Sequence, residues 1–316
     1  MIRTVRSSWI ALLMVALFLT GCASNDDQKS IEKKDPATTE EVKSYTVTDD
    51  SGKEITFDKV PETVVSLQPS NTEILYALGV GNKVIGATDF DNYPEEAKDV
   101  ERVSDSMTIN SEKIISLKPD AIIAYTIGDE AALKPLEDAG IPIFIIKSAV
   151  TFDDVYSDID QIAKVMGVTD QGDDLVKNIK KQIKDVEEKV ASVDSKEKTY
   201  FEISPSPEIY TAGAETFQQE ILASAGIENI FADQKGWAKI ADEEVVKRNP
   251  DAIITTVGYV DNAVDEIKSR KGWKDVSAVK EDQVYQLSED VMSRPGPRIG
   301  EAVELTAKTI YPQLFK

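Results

Sequence analysis

Residues 170–193 read DQGDDLVKNIKKQIKDVEEKVASV. Leu175, Ile179, Ile183, Val186, Val190 and Val193 recur every three or four positions, the spacing that lays one apolar stripe along a helix. The other faces carry Lys177, Lys181, Lys184, Asp185, Glu188 and Lys189, with opposite charges four apart in Lys181/Asp185 and Lys184/Glu188. Asp170, Asp173 and Asp174 stand at the amino end, where acids cap free amides and suit the helix dipole. At about 1.5 Å per residue such a helix is roughly 35 Å long. One large domain could hold it. What makes it a strut between two lobes is that the sequence on either side repeats.

Residues 111–125, SEKIISLKPDAIIAY, match residues 242–256, DEEVVKRNPDAIITT. Each copy reads as an amphipathic helix, an x-Pro-Asp turn and a buried apolar strand. Glu112 matches Glu243, Pro119 matches Pro250, and Asp-Ala-Ile-Ile recurs intact. The segment EILYALG (73–79) is echoed by EILASAG (220–226). The chain therefore reads as two related α/β lobes, Rossmann-like in their alternation, joined by a single long backbone helix.

In the first lobe the pattern predicts strands at Thr63–Leu67, Lys83–Thr88, Ala121–Tyr125 and Ile141–Ile146. Helices fall at Asn71–Leu78, Ser111–Leu117, Glu130–Ala139 and Asp153–Met166. In the second, strands are predicted at Thr199–Ile203, Ala252–Thr256 and Gln283–Leu287. Its helices are Phe217–Ala225, Glu243–Arg248, Ala263–Ser269 and Arg298–Ile310. Alternation of this kind predicts a parallel, layered sheet in each lobe, with ligands outside the carboxyl ends of the strands. Those ends are the loops near Gln68, Phe90, Tyr125, 204–210, Tyr259 and 290–298. Before the first lobe, YTVTDDSGKEITF predicts a hairpin around Asp50-Ser51-Gly52.

The amino terminus has its own logic. MIRTVRSSWIALLMVALFLTGC carries Arg3 and Arg6, an apolar run from Ile10 to Leu19, and then Leu19-Thr20-Gly21-Cys22. That is a secretion signal ending in a lipobox, with an apolar run too short for a good membrane span. Cleavage before Cys22 and lipidation of that residue are expected. Cys22 is the sole cysteine, so no disulfide or thiolate metal site is available. Residues 22–44 are polar and charged and read as a flexible acidic tether. The domain plan is thus signal 1–21, tether 22–44, first lobe 45–168, backbone helix 169–196 and second lobe 197–316.

The formal charge of −21 becomes more acidic once Arg3 and Arg6 are removed. It argues against nucleic acid and against peripheral binding to anionic lipid, leaving the lipid anchor as the membrane contact. There is no histidine, which removes the commonest general base, the serine triad and nearly all zinc or copper constellations. Neither a P-loop nor a strand-linked GxGxxG occurs; Gly79-Val80-Gly81 reads as a helix stop. No cofactor or metal site is expected. A carboxylate-pair hydrolase of the cell envelope remains the rival from a different class. What stands out at the predicted strand ends is Phe90, Tyr93, Tyr125, Tyr210, Trp237, Tyr259, Arg294 and Arg298, a set that favours a small-molecule cleft.

The lipobox, the PSNTEILYALG segment, the twin KPDAIIAY and NPDAIITT units and the tail SRPGPRIGEAVELTAKTIYP (293–312) resemble the helical-backbone (class III) periplasmic-binding-protein family. Its members are solute receptors of ABC importers for cobalamin, ferric siderophores and haem. The likeness covers about residues 45–315 and is greatest to cobalamin-binding members. It implies a monomer with no enzymatic activity, lipid-anchored on the extracytoplasmic face of the cell membrane. It also implies, as partners, a metal chelate and a permease dimer with its ATPase subunits. By the same resemblance Phe90, Tyr125, Tyr210, Trp237, Asp290 and Arg294 are ligand contacts. Ser106 departs from the pattern, where a bulky aromatic is expected. Glu112 and Glu243 are implied to dock onto the permease.

Charge orders the ligands. Burying a tri-anionic ferric catecholate needs several cations, and after residue 22 the arginines are Arg102, Arg248, Arg270, Arg294 and Arg298. Of these, Arg294 and Arg298 fall in the predicted cleft. That ranks cobalamin first, a ferric hydroxamate second and haem third, since haem would need Met292 or Tyr259 as axial ligand.

Overall fold

The computed structural model describes residues 44–105, 108–125 and 130–316, all within one compact unit, Val42–Lys316. The signal, most of the tether, Cys22 and Ser106 lie outside the described residues. Among the described residues no helix is long and apolar enough to cross a membrane.

The chain opens with the hairpin β1 (Tyr45–Thr48) and β2 (Glu54–Phe57), turned at Asp49, whose carboxylate accepts from Ser51 N and Lys53 N. The first lobe then runs β3 (Val64–Ser66), α1 (Pro69–Ala77), β4 (Val84–Thr88), β5 (Arg102–Ser104), α2 (Ser111–Leu117), β6 (Ala121–Tyr125), α3 (Glu130–Asp138), β7 (Ile143–Ile146) and α4 (Phe152–Val165). Its five strands are all parallel in the order β5-β4-β3-β6-β7.

The long helix is α5, Thr169–Val190. Ile179, Ile183, Val186 and Val190 are buried along its stripe, while Lys181–Asp185 and Lys184–Glu188 close at 2.5 and 3.6 Å on its wet side. Exposed pairs of this kind stabilise by about 0.3–0.5 kcal/mol each, so the buried stripe holds the helix. The expected acidic cap is absent: the N-cap is Val168, with no side-chain bond to the free amides. Gly172 lets α5 approach α4 closely, since a Cβ there would stand 2.7 Å from the Ala163 Cβ.

The second lobe runs β8 (Lys198–Ser204), β9 (Tyr210–Ala212), α6 (Phe217–Ser224), β10 (Glu228–Asn229), β11 (Trp237–Lys239), α7 (Asp242–Arg248), β12 (Ala252–Thr255) and α8 (Ala263–Ser269). It finishes with α9 (Ser277–Lys280), β13 (Val284–Gln286), α10 (Glu289–Ser293) and α11 (Ile299–Ile310). Its sheet departs from the expected parallel layout. The order is β11-β9-β8-β12-β13, with β9 antiparallel to both β8 and β11. The short edge pair turns back on itself because the connection from β8 to β9 is too short for a parallel crossover.

The repeat explains the register. Ala121 and Ile122 pair with Val64 and Val65, and Ala252 and Ile253 pair with Thr199 and Tyr200. The aspartate before each strand ties it to its neighbour: Asp120 accepts from Thr63 N at 3.0 Å, and Asp251 from Lys198 N at 3.3 Å. Both preceding helices stop at a left-handed residue, Lys118 (φ 53°) and Asn249 (φ 46°).

Composition allows two cores, but the inner faces form one. Val64, Ile123 and Phe144 of the first sheet, Ile179 and Ile183 of α5, and Phe201 and Ile254 of the second sheet belong to a single continuous cluster. The outer faces have separate clusters, one around Ile122 and Leu136, the other around Tyr200 and Trp273. Each lobe is thus a sheet with helices on both sides, its inner layer shared through α4, α5 and α11.

Candidate cleft at the strand ends

The loop after β4 presents Phe90, 57% exposed. Its shape is set by Asp91, whose carboxylate accepts from Thr88 N at 2.8 Å and Thr88 Oγ1 at 2.5 Å. Arg102 braces it from β5, donating to the carbonyls of Thr88 and Asp91, both at 2.9 Å. Tyr93, in the same loop, lies under the Arg298 guanidinium at 4.1 Å from the ring centre. Tyr125 ends β6, half-buried. Together these occupy the carboxyl ends of the first sheet.

Across from them, Tyr210 begins β9 and is half-buried. Trp237 is not in a loop, as its Gly-Trp context suggests, but opens the edge strand β11 opposite Ala212. Its ring is half exposed, and Nε1 donates to Gln218 Oε1 at 3.2 Å. Tyr259, beyond β12, is 67% exposed. Met292 is fully buried, with Thr306 Oγ1 3.6 Å from its sulfur. It is core and unavailable to a metal chelate.

Asp290 and Arg294 lie on and just after α10, and here the structure adds what local sequence cannot. Arg294 Nη1 donates to Glu73 Oε1 at 3.0 Å and Asn92 Oδ1 at 2.8 Å; Nη2 donates to Phe90 O at 3.0 Å and Asp290 Oδ1 at 2.5 Å. Asn92 Nδ2 closes the ring to Asp290 Oδ2 at 2.8 Å. Arg298 takes the other side of Glu73 in a fork, Nε to Oε2 at 2.7 Å and Nη2 to Oε1 at 2.6 Å. Burial draws the Arg298 guanidinium down, but the hydrogen bonds and charge of Glu73 outweigh it and leave its pKa raised. Two guanidiniums thus face two carboxylates, and the cluster is neutral as a whole. Glu73 was legible only as the head of the EIL repeat. The available signal was an acid in a largely buried helix, which calls for a cation.

Two pockets lie elsewhere. One of about 280 Å³ sits among α4, α5 and α6, lined by Phe152, Tyr156, Lys180 and Glu220; another is at the amino ends of β8 and β12. Neither is lined by Phe90, Tyr125, Tyr210 or Trp237. Among the described residues no cluster of three or more potential ligands could hold a metal ion.

Glu112 and Glu243 are both exposed, second in α2 and second in α7. Asn110 caps α2 through Lys113 N at 3.0 Å, so Glu112 is not needed as the cap. Neither glutamate is in an ion pair among the described residues. Both lie at the amino ends of their helices.

Residues 64–291 match the sequence profile of the periplasmic binding protein family. The chain is 44% identical to the ABC transporter substrate-binding lipoprotein YvrC of Bacillus subtilis, over 98% of each. It is 32% identical to the vitamin B12-binding protein of Yersinia pestis, over 75% of this chain and 82% of that one. Among solved structures, a possible iron-binding (periplasmic solute-binding) protein from Staphylococcus epidermidis is 34% identical. It superposes with a TM-score of 0.72 over 80% of this chain and 100% of the other.

Proposed function

The chain belongs to the periplasmic binding protein family, and from that premise we propose that it captures cobalamin for an ABC importer. As a substrate-binding protein it works with a permease, ATPase subunits and a small-molecule ligand. In this reading it is a monomer held at the extracytoplasmic face of the cell membrane by lipid on Cys22. It binds ligand among Phe90, Tyr125, Tyr210 and Trp237, and docks through Glu112 and Glu243.

The observation that carries the choice of ligand is the commitment of both cleft arginines. Arg294 and Arg298 are already matched by Glu73 and Asp290, so they offer no spare positive charge to a polyanion. A tri-anionic catecholate complex would enter the groove at a large desolvation cost. The exposed rings of Phe90, Trp237 and Tyr259 suit a bulky, nearly neutral ligand with wide apolar faces. A ferric hydroxamate meets the same description and is the second reading. Haem is weaker, since burial of Met292 leaves Tyr259 alone as axial ligand. A carboxylate-pair hydrolase gains no support, because Glu73 and Asp290 are clamped by arginine rather than facing the groove as acid and base.

Thermal unfolding with cyanocobalamin, a ferric hydroxamate, a ferric catecholate and haemin tests this. A ligand at 100 times its Kd adds about 2.7 kcal/mol to the folded state. Cyanocobalamin should raise the midpoint and the catecholate should not. A shift with haemin or the hydroxamate and none with cyanocobalamin reassigns the ligand.

A further inference from the structure

The EIL repeat places Glu73 in α1 and Glu220 in α6 at equivalent positions, and both carboxylates reach across to the other lobe. Glu73 holds Arg294 and Arg298, which lie just before α11, Arg298 as its N-cap. Glu220 Oε2 accepts from the amide of Phe152, the first residue of α4, at 2.6 Å. Helices α4 and α11 are themselves equivalent, each the last long helix of its lobe, each packed on α5 and on the first helix of its own lobe. So each lobe's first helix holds, by the same glutamate, the opening turn of the other lobe's last helix.

We propose that Glu73 and Glu220 are a pseudo-twofold pair of positioning residues that set the spacing of the two lobes and so the width of the cleft. Both stand on helices of the inner layer shared by the lobes, beside Ile74 and Ile221 of the continuous cluster. The Glu73 side is the stronger. It has a charge-assisted fork from Arg298 and a single charge-assisted bond from Arg294, and the 293–298 loop seals it: Gly296 rests on α1, where a Cβ would lie 3.6 Å from Ser70 O. The Glu220 side has one backbone amide and two like charges nearby, Asp153 and Asp154, so it is the side that parts first. Arg294, held by Glu73 through Nη1, also fastens the Phe90 loop to α10 through Nη2, which ties lobe spacing to the rim of the groove.

Hydrogen exchange on the full chain without ligand tests this independently of which chelate binds. Glu73→Gln should speed exchange about ten-fold or more at Ile299 and Ala302, in the opposite lobe. Glu220→Gln should do the same at Val155 in α4, whose amide bonds to Thr151 O and not to Glu220. Arg298→Gln, made from the other side, should loosen Thr72 in α1 and guards against a misfolded Glu73 variant. Amides of β6 should stay as they are. The Glu73→Gln/Glu220→Gln double variant should also show a larger radius of gyration in solution scattering. Acceleration confined to the substituted lobe, or an unchanged scattering curve for the double variant, overturns the proposal.

Discussion

Asp158 provides a sharp test of how burial acts on stability. It lies on the inner face of α4, 5% exposed, and its carboxyl is pushed up to about 8, first by burial and then by the like charges of Asp50 and Asp154. Asp50 is fixed beside it by Lys147 N at 2.8 Å and Gln161 Nε2 at 2.9 Å, and Asp154 by the cap of α4. An unfolded aspartate releases its proton near pH 3.9. Between about pH 4 and 8 the native state therefore holds a proton that the unfolded chain has lost, and stability falls as pH rises through that window. At about 1.4 kcal/mol per unit the ceiling is about 6 kcal/mol, and uncompensated buried charges typically cost about 3–5 kcal/mol. Asp158→Asn keeps the shape and removes the titration. Urea unfolding from pH 4.5 to 8.5 should show near-equal stability at the acid end. At pH 8.5 the variant should lead by about 3–5 kcal/mol, with unchanged m. A difference that does not vary with pH, or a variant weaker at pH 8.5, would refute the reasoning.

Three further outcomes follow from the geometry. Arg270 is 6% exposed and forks onto Glu202, itself 1% exposed, at 2.6 and 2.9 Å. Arg270→Ala should cost about 3–5 kcal/mol near neutral pH by stranding that carboxylate; burial already raises the Glu202 carboxyl, so the loss should shrink as pH falls and a proton relieves the stranded charge, and a loss that does not change with pH would show packing to be the cause. Trp237→Ala should weaken cyanocobalamin binding by about 1–3 kcal/mol in calorimetry with the melting point nearly kept, because the ring is half exposed; unchanged affinity would remove it from the site. Glu112→Ala with Glu243→Ala should leave ligand affinity and melting intact while abolishing uptake and ATPase stimulation in reconstituted membranes, and normal uptake would leave both as helix-end acids.

The parts of this fold that were legible in sequence are those whose signal is local and repeated. The 3.6-residue stripe located α5 to within three residues at its carboxyl end, and the Asp-Ala-Ile-Ile units located β6 and β12 within one residue. The parts that were not are short or non-local. β5, β9 and β11 have three residues each, too few to show alternation, and Trp237–Lys239 is exposed at both ends. The cap of α5 was misread because acids in the first turn suit the dipole whether or not they reach an amide. Arg294 and Glu73 are 221 residues apart, and no local pattern announces such a pair. The cleft aromatics could be named from strand-end position alone; that the arginines among them were already committed could not.

That commitment matters because of how the two lobes are built. Had each lobe its own closed core, the cleft could widen or shut freely, and a ligand's charge could be met by moving a cation toward it. Here one apolar cluster runs from the first sheet through α4, α5 and α11 to the second. Parting the lobes far would expose that cluster to water at about 25 cal/mol for each Å² uncovered. A packed strut also bends little, so closure stays modest. Selection must then rest on what stands at the rim before the ligand arrives: rings held by a short edge strand on one side, and on the other a loop tied by Arg294. A groove fixed in width and balanced in charge discriminates by shape and by apolar area, and scattering curves with and without saturating ligand should nearly superimpose.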